Sequence, residues 1–535
     1  MSYNLSALFE RVADAVPSRM AVISPLRRST YAQLDERASR LANHLRASGI
    51  GAGDHIGLHL RNGTEYLEAM LAAFKVRAVP ININYRYVAS ELASLYRDAR
   101  LVGLVHHREF APTIAEALTG SVVVPHVWTV DDGSTCPVIA GSTRYEAAVA
   151  ESPPTRDFPG RSGDDLYVAY TGGTTGLPKG VVWRHEDIFF AAMGGGDPTS
   201  MVGPINTPDE IVDRILEVGI VMLSTPPLIH VSAQWGAFAT LFGGGTVVLP
   251  SPGTLDPDEI WATIQRERVN VVTVVGDAMA RPLLDRLAVD PQQFDTSSLI
   301  VFASGGAVLS PATKQQIAEL LPQVITIDGF GSTETGVTGS RARLPGAPIE
   351  AGTRFSLDPS SAVLDDDLRP VEPGSGRIGH VARRGRAPIG YLNDEAKSAS
   401  TFVEIAGERW ALTGDAATVE LDGTISLLGR GSASINTGGE KVYPDEVETV
   451  LKSHPSVFDA VVVGAAHDRW GEEVVAVIAL RPAVSPPDLA TLQEHARAAL
   501  AGYKIPRRLC VVDAVVRGPN GKVDYAWARA VAAGG

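Results

Sequence analysis

The sequence predicts an α/β protein: a large N-terminal domain of α/β layered subdomains with a β-rich subdomain, then a small α+β C-terminal domain. Three observations carry that prediction. Apolar strand-like runs alternate with helix-periodic segments through the first two thirds of the chain. Those runs are nearly continuous, as in sheets covered on both faces. From about residue 360 the texture changes to short segments punctuated by turn residues, and beyond Arg430 a compact segment of about a hundred residues follows. At 535 residues the chain also exceeds the roughly 250–300 residues at which a single core stops growing.

The elements follow in order. Thr30 and Gln33 have capping-box spacing, and Leu34, Ala38, Leu41, Ala42 and Leu45 then recur on one helical face. HIGLHL (55–60) reads as a strand, EYLEAMLAAFK as a helix and AVPININ (78–84) as the next strand. LVGLVHH (101–107) repeats the pattern, as do NVVTVVG (270–276) before a helix around Ala278–Leu287, SLIVFASGG (298–306), and VITIDGF (324–330) after a helix from Pro311. LDGTISLLGR (421–430) reads as hairpin. After it come a helix at 445–454, strands at 459–465 and 473–481, and a helix at 488–500. These boundaries divide the chain into domains at 1–430 and 431–535.

Bulk properties exclude some functions. The formal charge of −14 argues against nucleic acid as partner, since that binding needs clustered Lys and Arg. Two distant cysteines, Cys136 and Cys510, support neither a disulfide framework nor a metal site. No secretory signal is visible, so a cytoplasmic location is expected. Val218 to Leu255 holds no Asp, Glu, Lys or Arg, yet Pro226-Pro227 and Gly243-Gly244-Gly245 interrupt it. It reads as interior strand, loop, short helix and strand, not as a membrane span.

The most informative string is Tyr170-Thr-Gly-Gly-Thr-Thr-Gly-Leu-Pro-Lys-Gly180, set between the apolar runs LYVAY and VVW. Amides and hydroxyls of Thr171, Gly172, Gly173, Thr174, Thr175 and Gly176 can converge on an anion, and Lys179 adds a point charge suited to phosphate. It is not the Walker loop, because Pro178 precedes the lysine and Gly180 follows it.

On this string the chain resembles the adenylate-forming superfamily of acyl-CoA synthetases, firefly luciferase and nonribosomal peptide synthetase adenylation domains. The family loop reads Y-[ST]-[SG]-G-T-[ST]-G-x-P-K-G, and Gly172 stands where Ser is frequent. Further strings match in the family's order. Phe330-Gly331-Ser-Thr333-Glu334 is similar to the aromatic-G-x-T-E motif, which implies Phe330 beside adenine, Thr333 on the α-phosphate and Glu334 on Mg²⁺. Ser304-Gly305-Gly306-Ala307 resembles the segment along nucleotide and acyl group. Trp410-Ala-Leu-Thr-Gly-Asp415 resembles [YW]-x-T-G-D, implying that Asp415 accepts both ribose hydroxyls. Gly429-Arg430 resembles the start of the hinge motif, with Arg430 on the nucleotide, although Ser432 stands where the family usually has a charge. The string from Ile435 to Glu448 matches the family loop that forms the pantetheine tunnel, implying that Gly438 and Gly439 admit the thiol arm. Pro519-Asn-Gly-Lys522 resembles a shortened P-x-x-x-G-K, implying a mobile C-terminal domain that carries Lys522 in for adenylation.

The resemblance implies an AMP-forming acid–CoA ligase using ATP, Mg²⁺ and coenzyme A, with Thr174, Lys179, Glu334 and Lys522 as its catalytic groups. His230, in Pro226-Pro-Leu-Ile-His230, matches a histidine of the acyl-pocket wall, and Gln234, Trp235 and Gly305 are the other pocket candidates. The apolar stretch 218–255 with Gly236, Ala237 and Ala239 suggests a hydrophobic acid. Trp183–Ile188 with Gly276–Arg281 looks most like bacterial ligases for long fatty acids or sterol side-chain acids. A carrier-protein acceptor, a luciferase-like oxidation and a catalytically silent nucleotide binder stay as alternatives, and a homodimer is the candidate assembly.

Overall fold

The computed structural model describes residues 2–534 apart from 120–121, 172–177, 198, 200, 308, 350–353, 431–434, 438–439, 468–470, 483, 501 and 518–522. Within strands it leaves out the side chains of Arg430, Asn436, Glu440 and Lys441. Two large sheets and one small one organise the chain. The expected α/β architecture is present, and the elements fall close to their predicted positions. The capping box at Thr30 forms, and the helix Tyr31–Ala47 buries Leu34, Ala38, Leu41, Ala42 and Leu45. Several elements have no counterpart in the sequence reading, and the first of them opens the chain. Leu5–Ala15 is a helix capped by the Asn4 side chain, with Leu5, Leu8, Phe9 and Val12 buried.

The eight-stranded sheet runs Gly390–Tyr391, Lys179–Arg184, Leu166–Thr171, Val79–Asn82, His55–His59, Gly103–His107, His126–Val130 and Thr143–Arg144. Its inner strands are parallel, which fits their fully buried apolar pattern. The fourteen-stranded sheet carries parallel strands Val221–Ser224, Val271–Val274, Val301–Gly305 and Ile325–Ser332. It continues without a break through Gly336–Arg343 and Arg354–Leu357 into the β-rich strands Ile425–Arg430 and Glu408–Val419. The β-rich part is thus hydrogen-bonded to the main sheet by its backbone. The charge-free stretch from Val218 resolves into strand, loop, the helix Val231–Phe242 and the strand Thr246–Val248. Among the described residues no helix is long and apolar enough to cross a membrane.

The strands Ile435–Thr437, Glu440–Val442, Val457–His467, Gly471–Leu480 and Arg508–Val512 make the third sheet. Close approaches between described residues join this part to the rest, among them the following two. The buried Arg281 guanidinium donates to the Phe458 carbonyl and lies 5.3 Å from that residue's ring centroid. A Cβ on Gly429, whose φ is +102°, would lie 2.2 Å from Asp445 Oδ2, so only glycine fits there.

A buried ion network ties the first three helices together. The fully buried Lys75 ammonium meets Glu10 and Asp35, the latter at 2.7 Å. Arg161 pairs with Glu10 at 2.6 Å and Arg156 with Asp35 at 2.7 Å.

Three of the buried histidines, His59, His106 and His185, sit deepest and are neutral imidazoles. His185 Nδ1 accepts the Leu5 N–H at 3.2 Å while Nε2 donates to the Leu166 carbonyl. His106 donates through Nδ1 to the His107 carbonyl and accepts the Thr129 hydroxyl through Nε2. His59 stacks on Phe110 with centroids 4.6 Å apart. Burial pushes His59 down to about 3, with His106 adding to the shift, and pushes His106 and His185 down to about 4. Each folded value lies below the unfolded value near 6.5, so the unfolded chain takes up more protons as the pH falls. The stabilisation is therefore complete above about pH 6.5 and is lost progressively toward pH 3–4; at pH 5 each histidine accounts for a loss of about 2 kcal/mol. Urea midpoints measured from pH 7.5 to 5 are expected to fall steeply below 6.5. A flat profile would contradict the buried neutral state.

Candidate active site

The phosphate-loop candidate is the connection of an antiparallel hairpin. Leu166–Thr171 and Lys179–Arg184 pair residue by residue up to Thr171 opposite Lys179, which brings those two residues to the ends of the loop. Gly172, Gly173, Thr174, Thr175 and Gly176 lie outside the described residues. Gly180 is required by its neighbour, because a Cβ there would sit 2.8 Å from the Tyr170 ring. The hairpin base is clamped by Asn82. Its side chain accepts the Tyr170 N–H at 2.8 Å and donates to the Tyr170 carbonyl at 2.9 Å and the Ile229 carbonyl at 2.7 Å. Asn82 thereby joins the loop to the Pro226–His230 turn. Sequence reading passed over it, although a buried asparagine closing an apolar strand was a visible sign.

Opposite, on the other large sheet, Ile325–Ser332 and Gly336–Arg343 form a second hairpin with Glu334 in its turn. The strands approach so closely that a Cβ on Gly331 would lie 2.1 Å from the Gly336 carbonyl oxygen. Gly336 itself has φ +69°. Hydroxyls of Ser332, Thr335 and Thr338 link at 3.0 and 2.8 Å and stiffen the turn. Phe330 packs on Phe355 at 5.5 Å. Gly331→Ala is expected to displace the hairpin, destabilising it by about 1–3 kcal/mol. A shift near 1 Å at Glu334 should cost about a hundredfold in activity. Activity of the folded variant, checked by circular dichroism, within twofold of the parent would contradict this.

The two hairpins meet. Trp183 Nε1 donates to the Thr333 carbonyl at 2.9 Å. The Tyr391 hydroxyl donates to Glu334 Oε1 at 2.9 Å, and the Tyr391 ring centroid is 5.9 Å from Lys179 Nζ. Lys179 ion-pairs with Asp394. Glu334 is half-buried, and no cation pairs with it among the described residues. A carboxylate held through one oxygen, with no counter-cation, fits a hard divalent cation such as Mg²⁺.

Ser304–Ala307 closes the next side. The Ser304 hydroxyl accepts the Gly276 N–H at 2.9 Å and donates to the Ala307 carbonyl at 2.6 Å, fixing the turn after the Val301–Gly305 strand. A Cβ on Gly305 would meet nothing within 4 Å, so Gly305 borders open space, and Gly306 has φ +82°. Asp415 is buried and stands directly opposite Arg430 on paired strands. His230 is half-buried at the start of the Val231–Phe242 helix. Gln234 is buried and hydrogen-bonded within the fold. It accepts the Tyr167 hydroxyl at 2.6 Å and donates to the Leu228 carbonyl at 2.7 Å and the Tyr66 hydroxyl at 3.3 Å. Through its bond to Leu228, Gln234 supports the Pro226–His230 turn, and Trp235 is buried in the main core. Gly438, Gly439 and Lys522 lie outside the described residues, and Arg430 is placed by its backbone alone.

Paired strands on either side of a loop, with a lysine and a carboxylate drawn to one tyrosine turn, could hold a metal-bound polyphosphate. The profile of AMP-binding enzymes matches residues 9–389, and that of the AMP-binding enzyme C-terminal domain matches 446–522. The chain belongs to the AMP-binding enzyme family. This AMP-binding enzyme is 46% identical over 535 residues to a 3-oxocholest-4-en-26-oate–CoA ligase of Rhodococcus rhodochrous, covering 99% of this chain and 96% of that one. It is 45% identical to a medium/long-chain-fatty-acid–CoA/3-oxocholest-4-en-26-oate–CoA ligase of Mycobacterium marinum, with the same coverage. Among solved structures it resembles the anthranilate CoA ligase AuaEII in complex with anthranoyl-AMP, with a TM-score of 0.84, 25% identity and coverage of 99% and 98%.

Proposed function

We propose that this AMP-binding enzyme is an ATP-dependent, AMP-forming acyl-CoA synthetase acting on a hydrophobic acid, a long-chain fatty acid or a sterol side-chain acid. The observation that carries the reading is the end-to-end likeness to the Rhodococcus ligase, with Lys179 and Glu334 drawn to one tyrosine.

In the first half-reaction a carboxylate oxygen of the acid attacks the α-phosphorus of ATP, the bond to the bridging oxygen breaks and pyrophosphate leaves. The acid supplies its own nucleophile, so the chain's task is positioning and charge stabilisation. The loop Thr171–Gly176, with Thr174 and Lys179, would hold the phosphates, and Lys522 would draw carboxylate and α-phosphate together. Glu334 would hold Mg²⁺, which when bound neutralises charge across phosphate oxygens. Phe330, Gly331, Thr333, Gly306, Asp415 and Arg430 would seat the nucleoside, while Gly305 and the His230 turn, backed by Gln234 and Trp235, would border the acyl group. In the second half-reaction the CoA thiol attacks the acyl carbon, AMP departs and the thiol proton passes to solvent. The division into 1–430 and 431–535 then acquires a purpose. Rotation of the small domain would withdraw Lys522 and bring Gly438 and Gly439 to the site. The reading places the enzyme in the cytoplasm, with a homodimer as the assembly to test by light scattering.

CoA-dependent AMP release with Mg·ATP over short, medium and long fatty acids, aromatic acids and sterol side-chain acids tests the proposal. Turnover with the long or sterol acids is expected. No AMP and no ATP–pyrophosphate exchange with any acid would overturn it, and transfer only to a carrier-protein phosphopantetheine would replace CoA as acceptor.

A further inference from the structure

One short turn reaches both charged groups of the site. The strand Gly390–Tyr391 adds to the outer edge of the phosphate hairpin, with Gly390 opposite Val182 and Tyr391 opposite Val181. Backbone bonds from Ile389 to Val182 and from Leu392 to Gly180, both 2.7 Å, extend that attachment. Asn393 donates to the Asp98 carbonyl at 2.7 Å, and the Asp98 carboxylate accepts the Tyr170 hydroxyl at 2.6 Å. The turn is therefore fixed to the base of the same loop whose lysine it faces.

Asp394 has two occupations there. Through Oδ1 it accepts the Lys397 N–H at 3.0 Å as the N-cap of the helix Glu395–Thr401, and through Oδ2 it takes the Lys179 ammonium. The Lys179 contact, with the cap bond behind it, holds the Asp394 carboxyl below the usual carboxylate range. An ammonium engaged by a carboxylate is not at the same time fully available to a phosphate. Both side chains are partly exposed, at 43% for Lys179 and 29% for Asp394, so the pair is weak enough to exchange.

We propose that Asp394 is a built-in competing anion, occupying Lys179 until the polyphosphate of the nucleotide displaces it, and so sets the nucleotide affinity of the site. The inference rests on the nucleotide reading above. Affinity is held down by an internal rival for the lysine, and removal of that rival tightens nucleotide binding. Tyr391, between the two groups, is a positioning residue that keeps the Glu334 carboxylate turned toward the same phosphates.

The test is equilibrium dialysis of Mg·ATP on the full chain, which needs no turnover. Asp394→Asn keeps a side chain that caps helices as well as Asp does, so it removes the charge and spares the fold. It is expected to lower the dissociation constant about fivefold at low salt. The gain should shrink at 0.5 M salt through screening and vanish in a Lys179→Met background. Asp394→Ala, which loses cap and charge together, should melt earlier yet still bind ATP more tightly than the parent. Unchanged or weaker binding by Asp394→Asn, or the same gain in the Lys179→Met background, would overturn the proposal. Absence of ATP binding by the parent protein would sink the nucleotide reading itself, and with it this inference.

Discussion

Glu334→Gln is expected to lower the rate of adenylate formation at ordinary magnesium by about 10²–10³-fold, the cost of removing one stabilising group from a charge-developing transition state. The substitution is nearly isosteric. The amide oxygen still accepts the Tyr391 hydroxyl, so the turn between Ile325–Ser332 and Gly336–Arg343 keeps its shape. What disappears is the negative charge, and a neutral amide is a poorer ligand for a hard divalent cation. ATP–pyrophosphate exchange measured against magnesium should therefore show a shifted metal requirement, with part of the rate restored at high metal. The KM for the acid should move little, because the acyl side proposed above, at Gly305 and the His230 turn, does not include Glu334. A loss below threefold at low magnesium would remove Glu334 from the metal role.

Lys75→Met is expected to destabilise the N-terminal part of the chain by about 3 kcal/mol or more, as when one partner of a buried ion pair is deleted. Lys75 is wholly buried and faces two carboxylates from different helices. Burial alone would raise the Glu10 carboxyl, but the hydrogen bond from Arg161 and the charges of Lys75 and Arg161 outweigh it and hold Glu10 below its ordinary value. Removing the ammonium leaves Glu10 and Asp35 close together in the interior, with Arg161 and Arg156 approaching only from the outer side. The control is Glu36→Ala, which breaks the exposed pair with Arg40 and should cost about 0.5 kcal/mol or less. Equal urea midpoints for the two variants would contradict the argument.

How much of this was legible depended on the distance over which each feature is encoded. The phosphate hairpin was readable because two apolar strands flank a Gly/Thr string within twenty residues, and the structure pairs them to the loop's ends. The glutamate turn was readable for the same reason, although its need for glycine at 331 is visible only once Gly336 lies across from it. Asp415 and Arg430 were found separately; their facing positions on one ladder depend on a bulge at Ala416/Ala417 that no local pattern announces. Tyr391 and Asp394 were missed because nothing near them is unusual. Asp394 takes its meaning from Lys179, 215 residues earlier in the chain, and Tyr391 from its bond to Glu334. The helix Leu5–Ala15 was overlooked despite its Asn4 cap and its Leu5, Leu8, Phe9 and Val12 face. The attachment of the β-rich part to the main sheet rests on two rungs between Arg354–Leu357 and Ile425–Arg430, too short a pairing to read in advance.

The long sequence gap between Lys179 and the Gly390–Tyr391 edge has a consequence for how the protein is made. A ribosome adding about 5–20 residues per second needs roughly 10–40 seconds to travel from one to the other. Throughout that interval the phosphate hairpin has an uncovered margin, and Lys179 has neither Asp394 nor Tyr391 beside it. Nucleotide in the surrounding solution therefore meets a half-built cradle during translation, one whose lysine has no internal rival, and the competition from Asp394 begins only after the turn at 390–394 has emerged and docked.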